Sequence, residues 1–215
     1  EYQYLVKPSE VLVDSFKAQM PPAGEIGDLY RGVGVSIGED TVSMGSDTLL
    51  EHYITKYALV PSDPFGTDII ISRAADLHLM LAEAYNRMGD ETSQGYALML
   101  LNAGVNKENP KPPEFAAWRS NVGIRGRVYL TSNEVSEEIV GEERTLLIED
   151  LIIAEKSLEM AFEGKRWFDL VRVAERRGDP TFLADKVAAK FEGTPDYDAI
   201  HSKLMNPDNW YISTE

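Results

Sequence analysis

Apolar residues recur at three- and four-residue steps in several parts of the chain, the spacing that lines one face of an α-helix. The strongest run covers residues 146–177. There Leu147, Leu151, Ala154, Leu158, Ala161 and Phe162 keep the step, Gly164 breaks it, and Trp167, Phe168, Val171 and Ala174 take it up again. Glycine inside a helix costs about 1 kcal/mol relative to alanine, so the pattern predicts one helix ending at Gly164 and a second from Lys165. The same stretch carries Glu163, Arg166, Asp169, Arg172 and Glu175, alternating in sign at three-residue steps. Each such pair is worth about 0.2–0.5 kcal/mol on an exposed helix. The charges therefore read as part of a packed, salt-bridged helix pair rather than as a carboxylate site.

Residues 72–88 repeat the helical pattern, with Ala74, Leu77, Leu81, Ala84, Tyr85 and Met88 on one face and Gly89-Asp90 as the stop. A short second helix over 96–102 would complete a hairpin whose small residues and Ala-Glu-Ala-Tyr core are like a tetratricopeptide unit. Thr131 with Glu134 fits a capping box, so a helix is expected to start near Ser132 and to run, broken at Gly141, into the long one. Shorter helices are predicted over 10–19, 182–191 and 200–205. By contrast, residues 1–65 and 106–128 are rich in Gly and Pro and poor in periodicity, with an extended piece expected over 53–60. The expectation is an all-α, tetratricopeptide-like fold with long irregular segments. It treats residues 1–215 as one domain: 1–68 mostly irregular, 69–105 a helical hairpin, 106–130 a loop, and 131–215 helical.

Charge narrows the function. A formal net charge of −15 repels phosphate backbones and anionic lipid surfaces, which argues against nucleic-acid binding through a basic patch. Without cysteine, disulfides, zinc-thiolate sites and cysteine nucleophiles are excluded. No signal peptide and no apolar run of membrane-spanning length is visible. The chain begins at Glu1 rather than methionine, which we read as a processed or excised piece whose targeting sequence or lipid-bearing cysteine lies upstream.

Candidate chemistry is sparse. The glycines of residues 32–38 nearly spell a dinucleotide fingerprint, but the third is one place late and no helix pattern follows, so no cofactor is expected. His78 stands without a second ligand at metal spacing and reads as a satisfied, half-buried histidine. Glu83 lacks a partner carboxylate and reads as a structural ion-pair or hydrogen-bond group. His52, His78 and His201 have no nucleophile elbow beside them. We assign no catalytic and no metal-binding residue. Trp118, in a Pro-rich loop, can be a flat platform for a sugar ring or a plug that holds the loop on the core.

The run LEMAFEGKRWFDLVR resembles the C-terminal signature of the SusD/RagB family, surface lipoproteins that capture nutrients, mostly glycans, at the outer membrane of Bacteroidetes. The matching positions are Glu163, Gly164, Arg166, Trp167, Asp169, Leu170 and Arg172. Where many members carry Glu-Arg, this chain has Glu155-Lys156, a point charge in place of a guanidinium fork. Arg73, Leu79, Ala82, Glu83 and Ala84, followed by Ala97 and Leu101-Asn102, resemble the family's arginine-led helix and its successor. Asp28 to Arg31, then Lys56-Tyr57, and later Arg125 and Arg127 resemble its irregular segments. The end, KLMNPDNWY, is similar to a family C-terminus, so the chain is expected to finish at or near the native one. The resemblance implies a non-catalytic glycan-binding lipoprotein at the outer-membrane surface, anchored by a lipid outside this segment and delivering ligand to a SusC-like TonB-dependent transporter. It also implies a missing N-terminal part. Sugar rings stack on flat aromatics, so Tyr30, Arg31, Tyr53 and Trp118 are the ligand-binding candidates, chosen by residue type. The alternative is a tetratricopeptide-like adaptor whose groove takes a peptide.

Overall fold

The computed structural model describes residues 6–21, 24, 27–44, 47–57, 70–102, 125 and 128–211. It is mostly helical, with seven α-helices among the described residues: α1 (Glu10–Lys17), α2 (Ala74–Met88), α3 (Glu91–Leu101), α4 (Gly141–Glu159), α5 (Arg166–Arg177), α6 (Pro180–Ala188) and α7 (Tyr197–Leu204). The all-α expectation needs correction, because an antiparallel hairpin, β1 (Ile37–Met44) with β2 (Asp47–Ile54), is also present. Its register pairs Ile37 with Ile54 and Val42 with Leu49. Little alternation marked it, since Glu39, Asp40, Glu51 and His52 intersperse the apolar positions. Gly38 belongs there for a steric reason: an added Cβ would lie 2.3 Å from the Tyr53 ring, which crosses that strand. Of the extended piece expected over 53–60, Tyr53 and Ile54 lie in β2 and residues 58–60 fall outside the described residues.

The chain divides into two compact units, Glu1–Pro8 with Leu12–Glu163, and Ser9–Val11 with Gly164–Glu215. In the first, α2, α3 and α4 bury Leu79, Ala82, Ala97, Leu100, Leu101, Ile148, Ile152 and Met160 in one cluster. Asp90 caps α3 by accepting from Ser93 N. With that cap α3 starts at Glu91, earlier than predicted, its polar first turn having hidden it. The expected capping box at Thr131 does not form. Thr131 Oγ1 instead donates to Met20 O at 2.9 Å, and the helix begins at Gly141 with Glu142 and Glu143 at the positive end of its dipole. A second cluster joins Val13 and Phe16 of α1, Ile37 of β1, Leu158 and Ala161.

Both long helices bury faces other than the ones hydropathy selects. In α4, Leu147 is 38% exposed, Ala154 is exposed and Leu151 only half-buried, whereas Ile148, Glu149, Ile152, Ile153, Glu155, Lys156 and Leu158 are buried. In α2 the buried positions are Asp76, His78, Leu79, Ala82, Glu83 and Asn86. Asp76, His78 and Asn86 meet α3 and α4. Asn86 Nδ2 donates to Thr145 O at 2.8 Å, Arg87 pairs with Glu149 at 2.7 Å, Lys156 with Asp76 at 3.3 Å, and His78 Nε2 donates to Leu100 O at 2.9 Å. The satisfied reading of His78 holds, though it is wholly rather than half buried. Glu83 is buried.

In the second unit α5, α6 and α7 bury Leu170, Val171, Val173, Ala174, Phe182, Leu183, Ala184, Ala188 and Leu204. Trp210 is buried and its indole N–H donates to Leu204 O at 2.7 Å. Phe168, expected inward, is 72% exposed. Asp179 caps α6 by accepting from Thr181 N, with Pro180 in the first turn where its missing N–H costs nothing.

The rotated face of α4 is testable by urea denaturation. Ile152→Ala is expected to lose about 2–5 kcal/mol, the range for a fully buried large-to-small change, and Leu147→Ala no more than about 0.5 kcal/mol.

Candidate functional site

The last turn of α4 presents a row of carboxylates. Glu155 and Glu159 stand one helical turn apart, and Glu163 follows four residues later within the corner formed by Phe162 (φ 67°) and Gly164 (φ 73°). Like charges so close would repel, and cations from four distant segments lie between them. Arg125 Nη1 donates to Glu155 Oε2 at 2.9 Å, while Arg31 Nη1 bridges Glu155 Oε1 at 2.6 Å and Glu159 Oε2 at 2.7 Å. Arg73 donates through Nη1 to Glu159 Oε1 at 2.6 Å and through Nε to Glu163 Oε1 at 3.0 Å. Lys56 Nζ completes the row on Glu163 Oε1 at 2.6 Å. Asp28, bound to Arg31 Nε at 2.6 Å, balances the count at four cations and four carboxylates.

The helix end itself favours this arrangement. The last carbonyls of a helix lack internal partners and carry the negative end of its dipole, so cations belong there. Lys56 Nζ donates to Ala161 O at 3.0 Å and to Glu159 O at 3.3 Å, and Arg73 Nη2 also reaches Glu159 O. At the other end of the row, Arg125 donates from Nε and Nη2 to Thr131 O at 2.9 and 2.7 Å.

Arg31 enters the row from a tight turn. Asp28 Oδ1 accepts from the backbone N–H groups of Tyr30 and Arg31 at 3.1 and 3.0 Å, an aspartate turn. Burial by itself would lower the pKa of Arg31, but the fields of Glu155, Asp28 and Glu159 outweigh it and raise the value. For Glu159 burial acts upward, and Arg31 and Arg73 overcome it, holding the carboxyl below its usual range. Arg73 is likewise raised: burial pulls it down and Glu159 with Glu163 more than restores it. Groups so paired stay charged at neutral pH, which suits them to hold segments together and not to exchange protons.

Three of the four ligand-binding candidates lie among the described residues. Arg31 is buried in the ion row, while its neighbour Tyr30 is 55% exposed at the turn. Tyr53 is half-buried in β2 against Gly38. Trp118 lies outside the described residues. The structure adds an open cleft of about 280 Å³ at the Arg125 end of the row. Leu151, Ala154 and Leu158 form its apolar floor, and Gln19, Arg125, Thr131 and Asn133 its polar rim. Its volume falls just below the range for small-molecule sites, about 300–1,000 Å³. Gln19, Asn133 and Glu159 carried no sequence signal of their own except the four-residue spacing of Glu155, Glu159 and Glu163, which foretells intercalated cations. Among the described residues no group of three or more His, Asp and Glu side chains could hold a metal ion, and no helix is long and apolar enough to cross a membrane.

Fold and charge row define a class: a mostly helical protein in which irregular segments are pinned to a helix terminus by a buried arginine–glutamate row. The chain belongs to the SusD family, whose profile matches residues 63–211. It is similar to SusD-like protein P38 of Formosa agariphila, with 31% identity over 121 residues, 55% of this chain and 20% of that protein. The match thus spans about a fifth of the length of the curated relative. No solved structure matches the chain.

Arg31→Ala is expected to destabilise the fold by about 3–5 kcal/mol, the cost of leaving buried partner charges unpaired, with Arg31→Lys between it and the parent, as read by urea denaturation. A second test uses pH. Because the Glu159 carboxyl is depressed in the folded state, its stabilisation is full above the unfolded value of about 4.3 and is lost as pH falls through the folded value. The stability gap between the parent and Glu159→Gln should therefore be widest near neutral pH and narrow below about pH 4.

Proposed function

We propose that this chain is part of a nutrient-binding protein of the outer-membrane surface that captures a glycan without transforming it and passes it to a SusC-like TonB-dependent transporter. The observation that carries this reading is the family match over residues 63–211. A lipid anchor outside this segment would hold the protein at the membrane. The arginine–glutamate row supports a binding role over a catalytic one, since each of its carboxylates is engaged by a cation. Tetratricopeptide-like packing belongs to the same reading. Its support is the short corner at residues 89–90 between α2 and α3 and the buried small residues Ala82 and Ala97 of those helices.

Neutral sugars suit a chain of net charge −15, because their recognition rests on aromatic stacking and hydroxyl hydrogen bonds rather than on charge. Tyr30, Tyr53 and Trp118 would supply the stacking surfaces, with Arg31 stiffening the turn that presents Tyr30.

Calorimetric titration of the full-length natural product with a panel of neutral oligosaccharides tests the proposal. Binding of at least one is expected, weakened about tenfold, or 1.4 kcal/mol, by Tyr30→Ala or Trp118→Ala with the melting temperature of the Tyr30 variant unchanged. Hydrolysis of the oligosaccharide would overturn the non-catalytic reading. Binding of an unstructured peptide with no response to any glycan would replace it with the peptide-binding adaptor.

A further inference from the structure

The open cleft at the Arg125 end of the charge row has walls that are tied in place. Met20 O accepts from Thr131 N at 3.0 Å and from Thr131 Oγ1 at 2.9 Å, which joins the two strands of chain that face each other across it. Asn102 clamps the next part of the wall, accepting from Asn133 N at 2.8 Å and donating to Asn133 O at 2.7 Å. Arg125 and Glu155 are the charged residues of the lining, and they neutralise each other at 2.9 Å. What the cleft still offers is two side-chain amides. Among the described residues the Asn133 amide makes no hydrogen bond, because both bonds of that residue belong to its backbone. Gln19 makes two long ones of 3.4 Å, from Nε2 to Ser15 O and at Oε1 from Arg125 Nη1. Beneath them Leu151, Ala154 and Leu158, at three- and four-residue steps on α4, make an aliphatic floor.

We propose that this cleft binds the N-acyl amide group of a small neutral ligand. A secondary amide presents one donor and one acceptor, and the carboxamides of Gln19 and Asn133 each present both, so the two kinds of group satisfy one another. The acyl methyl then leaves water for the aliphatic floor. Other ligand classes fit less well. An ion meets no surplus charge, and a metal meets one carboxylate, Glu155, which two arginines already hold. A bare sugar ring lacks the flat aromatic it stacks on, since no aromatic residue lines the cleft among the described residues. A plain alkyl chain would cover the amides without pairing them. The volume of about 280 Å³ suits a single such group rather than an oligomer, and tied walls reduce the ordering that binding would cost. The inference does not rest on the glycan reading, because an N-acylated sugar and an N-acylated amino acid carry the same group.

Saturation-transfer difference NMR on the full-length natural product tests it. The probes are N-acetylglucosamine and N-acetylalanine methyl ester, each compared with the compound that has a hydroxyl in place of the acetamido group, glucose and methyl lactate. At roughly 10 mM probe, the acetyl methyl of at least one probe is expected to take up the strongest saturation, and which probe does so identifies the source of the group. Ala154→Trp, which fills the floor from an exposed position, and Asn133→Ala should each reduce that signal at least about twofold, with melting temperatures within about 2 °C of the parent. Absence of acetyl saturation from both probes overturns the proposal. So do equal signals from the hydroxyl compounds, or an acetyl signal that Asn133→Ala leaves intact.

Discussion

The pairing of Glu155, Glu159 and Glu163 with Arg125, Arg31, Arg73 and Lys56 is the constraint on which the first unit depends. Its members come from segments more than 80 residues away in several cases: Arg31 reaches Glu155 across 124 positions, Lys56 reaches Glu163 across 107, and Arg73 reaches Glu159 across 86. Among the described residues of the stretch between α1 and α2, Val33 and Ile37 join the smaller core cluster. Non-directional burial would leave such a stretch many near-equivalent placements. A guanidinium fork that must satisfy two carboxylates in one plane leaves it far fewer. Desolvating eight charges offsets much of the Coulombic gain, so the row contributes definition of the structure more than net stability. Removing one member is costly because the remaining charges stay buried.

Helix positions were largely legible from the sequence, and helix faces were not. Periodicity alone located α2, α4, α5 and α6 to within a few residues, since the step of three and four survives whichever side is buried. Assigning the inward face, however, assumes that charge faces water. Glu149, Glu155 and Lys156 break that assumption in α4, as do Asp76 and Asn86 in α2. Leu147 and Ala154 were drawn inward by hydropathy and lie outside for that reason. The hairpin was missed because its strands mix Asp40 and Glu51 with Val42 and Leu49 and so lack alternation. Of the site, the motif positions Arg31, Lys56, Arg73, Arg125 and Glu163 were each visible as members of a resemblance. Their meeting at one helix end was not, since nothing local to any of them encodes a partner 30 to 128 positions away.

The two rotated faces have one cause. Once α4 turns Glu149 and Lys156 toward α2, that helix must answer with groups that can pair with them. Arg87 meets Glu149 and Asp76 meets Lys156, while Asn86 takes the Thr145 carbonyl. A helix has only one circumference, so placing these residues inward carries the Leu77, Met80 and Met88 stripe outward. Each polar contact also has a single admissible partner, whereas leucine contacts tolerate a shift of one turn. A slip of α2 along α4 would separate Asp76 from Lys156 and Arg87 from Glu149 together, leaving four charges without their ion-pair partners. The polar interior thus sets the register of α2 on α4, and the apolar cluster of Leu79, Ala82, Ile148 and Ile152 beside it supplies most of the cohesion.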